Sequence, residues 1–159
     1  MIKIRRIGIN EVIKYRTELI NLIHMNIIEN YPECDVKKNV DAFYEKMKEY
    51  SCDGSAILLG AFEDDIIVGF YWAHISFFLG EKRMHVYLNA VNSSYRRQGI
   101  GSAFLKELQK IAKTQNIQVL EAFCRATNDD AMEYYRHNGF EIENYRIVKK
   151  INDDIDLQI

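Results

Sequence analysis

The chain has a single proline, Pro32, and no stretch rich in glycine and serine, so nothing in its composition marks a linker or a domain boundary. Its three cysteines, Cys34, Cys52 and Cys124, are odd in number, scattered and outside any metal-ligand spacing. That argues against a disulfide framework and a cysteine-based metal site, and it fits a reduced, cytoplasmic setting with no metal. Charge of one sign is not in excess either. The formal net charge is -2, so no global field draws the chain to nucleic acid or to an anionic membrane. Long hydrophobic runs are missing: the longest stretch free of Asp, Glu, Lys and Arg, Ile66 to Gly80, includes His74 and is too short to cross a bilayer. At the N-terminus, Lys3, Arg5 and Arg6 lead into alternation rather than into the apolar core of a signal peptide. With 159 residues, 48% hydrophobic and 28% charged, the expectation is one domain over residues 1–159. Such a domain buries about two-thirds of its unfolded surface.

What the chain does have is a change of period. Ile2 to Arg5 alternates as a half-buried strand would, and Asn10 can cap a helix in which Val12, Leu19, Ile20, Ile23 and Ile27 recur at helical spacing. Glu29 to Asp35 breaks that helix, and Val36, Val40, Phe43, Tyr44 and Met47 repeat the pattern in a second one. From residue 55 the spacing becomes that of strands. Ala56–Phe62 and Ile66–His74 read as an antiparallel hairpin turned at Glu63–Asp65, and a third strand is expected over His85–Val91. A helix follows with Ile100, Phe104, Leu108 and Ile111 on one stripe, then a strand at Val119–Cys124 and a helix at Asn128–Asn138 closed by Gly139. Phe140–Ile151 reads mostly as strand, and the acidic tail from Asn152 to Ile159 as a fraying end. The order βαα-βββ-αβαβ predicts an α/β (mixed α+β) fold, a central mixed sheet with helices on both faces.

The chemistry concentrates between His85 and Leu105, where an apolar strand, a short polar turn, a glycine-punctuated loop and an amphipathic helix follow one another. Gly99 and Gly101 bring no side chain that would hold the backbone away from an anion. The N–H groups of Gln98, Gly99, Ile100, Gly101 and Ser102 are the unpaired donors of a helix start, with the positive end of its dipole behind them. Arg96 and Arg97 add full charges suited to phosphate oxygens. A dinucleotide fingerprint would need a third glycine where Phe104 stands, and a Walker loop would need Gly-Lys-Ser/Thr.

The pattern from Arg96 to Gly101, Arg-x-x-Gly-x-Gly, resembles the acyl-CoA-binding signature of the GCN5-related N-acetyltransferases. A second stretch is similar to that family's second motif: Asn128, then Ala131, then Tyr135, closed by Gly139-Phe140. The resemblance covers roughly residues 55–151, an acyl-CoA-binding core, and leaves residues 1–54 as the acceptor-binding part. It implies a sheet that splays between its fourth and fifth strands and takes the pantetheine arm of acetyl-CoA there. It further implies that the backbone of Ala90 and Val91 pairs with that arm and that a main-chain N–H near Val91 polarises the acetyl carbonyl. Tyr135 matches the family's general acid, which protonates the departing thiolate. Adjacent Tyr134 is its twin, pointing about 100° away on a helix. Asn128 would either bond the pantetheine arm or simply cap its helix. Relatives often form homodimers, although no motif in this chain demands it.

An alkylammonium of pKa about 10.4 must lose a proton before it attacks, at a cost of about 4–5 kcal/mol at pH 7. So either a base acts or the pocket depresses the amine pKa by desolvation or neighbouring positive charge. Many relatives carry Glu near position 89, whereas this chain has Asn89, which cannot take a proton. Strict alternation would put residues 85, 87, 89 and 91 on one face, and His85, where another branch of the family carries histidine, is the candidate base, acting directly or through water. A histidine merely pairing on a strand face is the plain alternative; His74, Glu81 and Glu33 are weaker candidates. Cys124 admits a covalent acetyl-enzyme, against the family's usual direct transfer. Glu29, Glu33, Asp35 and Tyr31, facing Trp72, Phe77 and Phe78, would make acidic and aromatic walls for a cationic amine such as a polyamine, aminoglycoside or amino sugar. A protein N-terminus as acceptor, a non-catalytic acyl-CoA sensor, a CoA-independent scaffold and ordinary solvated loops are the alternatives.

Overall fold

The computed structural model describes residues 1–151, and the expected acidic tail lies outside the described residues. Strand β1, Lys3–Arg6, leads into two consecutive helices, α1 at Ile9–Lys14 and α2 at Arg16–Asn30. The cap falls on Gly8 instead of Asn10: Gly8 accepts the N–H groups of Glu11 and Val12, and its own N–H donates to the Glu11 carboxylate at 3.1 Å. Tyr15 then interrupts the helical dihedrals, so the one helix expected here is two segments around a kink. Helix α3, Val36–Cys52, opens on Asp35, whose carboxylate accepts from the Lys38 N–H at 3.1 Å.

Strands β2 (Ile57–Glu63), β3 (Ile66–Phe78) and β4 (Glu81–Val91) form an antiparallel meander, with the β3–β4 ladder running well past the ends that apolar spacing suggests. A 3₁₀ turn at Ser93–Tyr95, helix α4 (Ile100–Thr114), strand β5 (Val119–Ala122) and helix α5 (Asp129–His137) complete the elements. The sheet order is β1-β2-β3-β4-β5, antiparallel except for the parallel β4–β5 pair. Phe140–Ile151 forms no strand among the described residues. Ile142, Tyr145, Ile147 and Val148 are exposed there, and the segment is tied down at Glu143, which bonds Arg83 at 2.6 and 2.9 Å. Alternating apolar residues make a strand only where a neighbour supplies the other half of the ladder.

Two apolar layers hold the sheet. Val12, Leu19, Leu22, Ile23 and Ile27 with Val40, Tyr44 and Met47 cover one face, meeting Leu58, Phe70, Trp72, Leu88 and Ala90. Ile100, Phe104, Leu105, Leu108 and Ala112 cover the other, against Leu59, Tyr71, Ala73, Met84 and Val86. Burying each of the Val, Leu, Ile, Met and Phe side chains among them contributes about 1.5–3 kcal/mol. On both sides these helix residues face the sheet at the three- and four-residue spacing read from the sequence.

One irregularity matters for everything downstream. Trp72 pairs with Leu88 but the next residue, Ala73, pairs with Val86, so Tyr87 is an extra residue bulged out of β4. The bulge resets the alternation. His85, Tyr87, Leu88 and Ala90 lie on the α2/α3 face, whereas Asn89 and Val91 lie with Tyr71 on the α4/α5 face. The single face expected for residues 85, 87, 89 and 91 is therefore split.

Candidate active site

The β4–β5 ladder ends at Val86 and Ala122, while β4 stays paired to β3 as far as Val91. Beyond Val86 the two parallel strands part, and the edge of β4 from Tyr87 to Val91 opens onto a cleft of about 1230 Å³. That exceeds the roughly 300–1,000 Å³ of drug-sized sites. Its far wall is Phe123, Cys124, Arg125 and the first turns of α5.

The mouth of the cleft is the loop between β4 and α4. Gly99 caps α4 at φ 77°, a left-handed conformation that suits glycine, and Arg97 is forced to φ 63° two residues earlier. A non-glycine residue held there costs roughly 1–2 kcal/mol, and such strain gathers where a loop is shaped for a ligand. The successive backbone N–H groups from Arg97 to Ser102 find no acceptor among the described residues, and the ladder of α4 resumes only at Ala103, bonded to Gly99 at 3.0 Å. Arg96, Arg97, Gly99, Gly101 and Ser102 line the cleft beside them. This is a concave row of donors at a helix start, with cations at its rim.

Gly101 has a second reason to be glycine. A Cβ there would lie 2.9 Å from Cε2 of Tyr134. The Tyr134 hydroxyl donates to the Gly101 carbonyl at 2.8 Å and meets the Tyr71 hydroxyl at 2.7 Å. Burial pushes both phenols upward. Tyr134 is thus committed to joining α5, α4 and β3. Tyr135 points elsewhere: its hydroxyl accepts from Asn89 Nδ2 at 3.3 Å on the cleft wall, and its pKa is raised, chiefly by burial. It remains a protonated phenol at neutral pH, able to donate.

The other expected residues are distributed less simply. Ala90 and Val91 lie on the open edge of β4. The Asn89 carbonyl accepts from Asn26 Nδ2 at 2.7 Å and the Val91 carbonyl from Arg96 Nε at 3.0 Å. Asn128 caps α5, accepting from the Ala131 N–H at 2.9 Å, and donates to Asn30 Oδ1 at 2.5 Å. Its carboxamide is used at both ends. Gln98 bonds the Ser94 carbonyl at 3.3 Å through its side chain. His85 is 8% exposed and does not line the cleft; Nδ1 faces Glu121 at 3.2 Å, its ring packs 5.2 Å from that of His74, and exposed Phe123 covers its edge.

The aromatic wall expected from the β3–β4 connection is absent. Trp72 is fully buried against Tyr87 and Tyr50, Phe78 lies under the Arg83 guanidinium, and Phe77 projects at the hairpin end away from the cleft. Tyr31 and Glu29 do line it, and Arg125 bridges Tyr31, Glu33 and the Asn30 carbonyl. Cys124 lines the cleft too, but burial pushes its thiol upward, away from the thiolate a nucleophile needs. Sequence reasoning placed Glu29 in an acidic wall but missed Asn26 and Asn30 beside it on the last turns of α2; the three- and four-residue spacing carried the signal.

A model of the acetyltransferase (GNAT) family matches residues 20–140. The chain belongs to this family. Among its relatives, the probable N-acetyltransferase san of Drosophila melanogaster is 30% identical over 83 residues, 52% of this chain and 45% of the fly protein. The chain thus spans less than half the length of that curated relative. Among solved structures, the PaiA N-acetyltransferase from Thermoplasma acidophilum in complex with coenzyme A superposes with a TM-score of 0.76 at 22% identity, covering 92% of this chain and 93% of that one. An aminoglycoside acetyltransferase, meta-AAC0020, from an uncultured soil metagenomic sample in complex with sisomicin, gives a TM-score of 0.72 at 17% identity over 95% and 97%. At these identities the likeness is one of fold. The mixed sheet flanked by helices that the residue pattern predicts is the fold of this acetyltransferase family. Among the described residues no His, Cys, Asp and Glu group could hold a metal, and no helix is long and apolar enough to cross a membrane.

Proposed function

We propose that this acetyltransferase moves the acetyl group of acetyl-CoA onto a primary amine of a small polycationic molecule, by direct attack in a ternary complex. The observation that carries the reading is the run of N–H groups from Arg97 to Ser102 that find no acceptor among the described residues, next to the open edge of β4 and within one cleft with the Tyr135 hydroxyl. Bound there, acetyl-CoA supplies a thioester as acyl donor. The loop and Arg97 hold its phosphates, and the β4 edge at Ala90 and Val91 holds its pantetheine arm. Tyr135 gives the leaving thiolate its proton: a phenol that burial keeps protonated is a suitable donor. His85 takes the amine proton through water. Glu121 on Nδ1 holds the tautomer that leaves Nε2 as the acceptor, and Phe123, whose ring packs against His85, itself lines the cleft. Acidic side chains along the cleft, Glu29, Asp129, Asp130 and Glu133, favour a cationic acceptor. The solved aminoglycoside acetyltransferases of the same fold accord with that choice.

The test is calorimetric titration of the full chain with acetyl-CoA, followed by thiol release with a polyamine, an aminoglycoside, an amino sugar and a peptide N-terminus. Micromolar binding with turnover on a polyamine or aminoglycoside is expected. Absence of acetyl-CoA binding would reduce the glycine loop to a structural turn. Binding without turnover on any acceptor, unchanged in Tyr135→Phe, would mark a sensor.

A further inference from the structure

Arg96 does not stand free at the anion loop. Its Nη2 donates to both carboxylate oxygens of Glu29, at 2.8 and 2.9 Å, while Nε is held by the Val91 carbonyl. Both side chains are partly exposed and both line the cleft. Glu29 sits in the last turn of α2, where no basic residue balances it and where the helix dipole disfavours a carboxylate. Its position adds nothing to the helix. What it does instead is cancel the charge of Arg96 beside a loop whose free donors suit phosphate.

We propose that the pair is an exchange switch: phosphate of the incoming acyl-CoA draws Arg96 away from Glu29, and the released carboxylate then binds an ammonium group of the acceptor. The proposal rests on the acetyl-CoA reading above and adds to it a binding order and a specificity residue. Before the nucleotide arrives, Glu29 is neutralised and the acceptor finds no free carboxylate there. Afterwards Arg96 faces phosphate, and Glu29 stands uncompensated in the cleft beside Tyr31, Asn26 and Asn30. The ammonium it holds is not the reacting nitrogen, which must be neutral to attack. The acceptor therefore carries at least two amines, as a polyamine does.

The experiment uses calorimetry on the full chain with coenzyme A and spermidine as probes. Glu29→Gln keeps the shape and removes the charge, so it should tighten coenzyme A binding roughly 3- to 10-fold, the worth of about one released ion pair. In an Arg96→Gln background the same substitution should change nothing. Spermidine should bind the wild-type chain saturated with coenzyme A, bind the free chain at least about tenfold more weakly, and lose that difference in Glu29→Gln. Equal or weaker coenzyme A binding by Glu29→Gln, or tightening that persists without Arg96, overturns the exchange. Spermidine binding that ignores coenzyme A or Glu29, or no spermidine binding at all, overturns the acceptor role. A wild-type chain that fails to bind coenzyme A refutes the acetyltransferase reading itself, a separate result.

Discussion

Replacing Gly101 by alanine sets two effects of opposite sign against each other. Alanine in a helix is worth roughly 0.5–1 kcal/mol over glycine, and Gly101 is in the first turn of α4, where the gain is at the lower end. Against that, the new Cβ would meet Tyr134 at 2.9 Å from Cε2 and 3.2 Å from Cζ and the hydroxyl oxygen. The ring cannot swing away cheaply. Its hydroxyl is held at 2.8 Å by the Gly101 carbonyl and 2.7 Å by Tyr71, and its face is packed by Tyr135 with ring centroids 5.1 Å apart. Overpacking costs about 1–3 kcal/mol, and each hydrogen bond lost about 0.5–1.5 kcal/mol more. The balance is a destabilisation of about 1–3 kcal/mol, or a fall in Tm of roughly 3–10 °C for a domain of this size. Urea and thermal unfolding of the full chain measure it. Tyr134→Ala in the same background removes the clash, so a double-mutant cycle should return a coupling of about 1 kcal/mol or more. A Gly101→Ala variant as stable as wild type, or additivity with Tyr134→Ala, would refute the argument that Tyr134 is why this position lacks a side chain.

Three further outcomes follow from the same structure. Tyr135→Phe should lower kcat by about 10²–10⁴-fold, some 3–5 kcal/mol of barrier, with the Kd for coenzyme A unchanged; near-normal turnover would move the acid role elsewhere. Burial, then neighbouring His85, pulls the His74 pKa below 6.5, so the stability it contributes is present above that value and lost as pH falls. Glu143 is lowered by its bonds to Arg83; Glu121 is also lowered, since bonds from Ser76, Arg83 and His85 outweigh burial. Their contribution is present above about pH 4.5 and lost below it. The urea midpoint from pH 8 to 3 should fall in both windows, His74→Phe flattening the first and Arg83→Gln the second; a flat profile between pH 7 and 5 would sink the argument for His74. Iodoacetamide should label exposed Cys52 before Cys124, and Cys124→Ser should keep near-normal turnover. An acetyl thioester trapped on Cys124 would exclude direct transfer.

The parts legible in the sequence were those set by local chemistry. Glycines at 99 and 101, arginines at 96 and 97, and Asn128 and Tyr135 are read by spacing along two short segments, and the structure brings them to one cleft. Features set across strands were illegible. The bulge at Tyr87 depends on which residue of β3 meets Leu88, and without it residues 85 and 89 were assigned to the same face. Trp72 looked like a surface aromatic because nothing in its neighbourhood reveals that Tyr50 and Tyr87 close over it. Tyr134 and Tyr135 differ only in what each meets, one a carbonyl and a phenol, the other a carboxamide. The strand expected at 140–151 had the right alternation and no neighbour to pair with among the described residues.

The extra residue at position 87 also makes two neighbouring positions independently variable. Tyr87 packs with Phe43 of α3 and His74 of β3, while Asn89, two residues on, meets the Tyr135 hydroxyl on the opposite face of the sheet. Substitutions at 87 can therefore reshape the packing on the α2/α3 face without touching Tyr135, and substitutions at 89 can alter the contact to the Tyr135 hydroxyl without altering that packing. A lineage of such proteins, or a laboratory library, can vary the two faces as separate traits on one short strand.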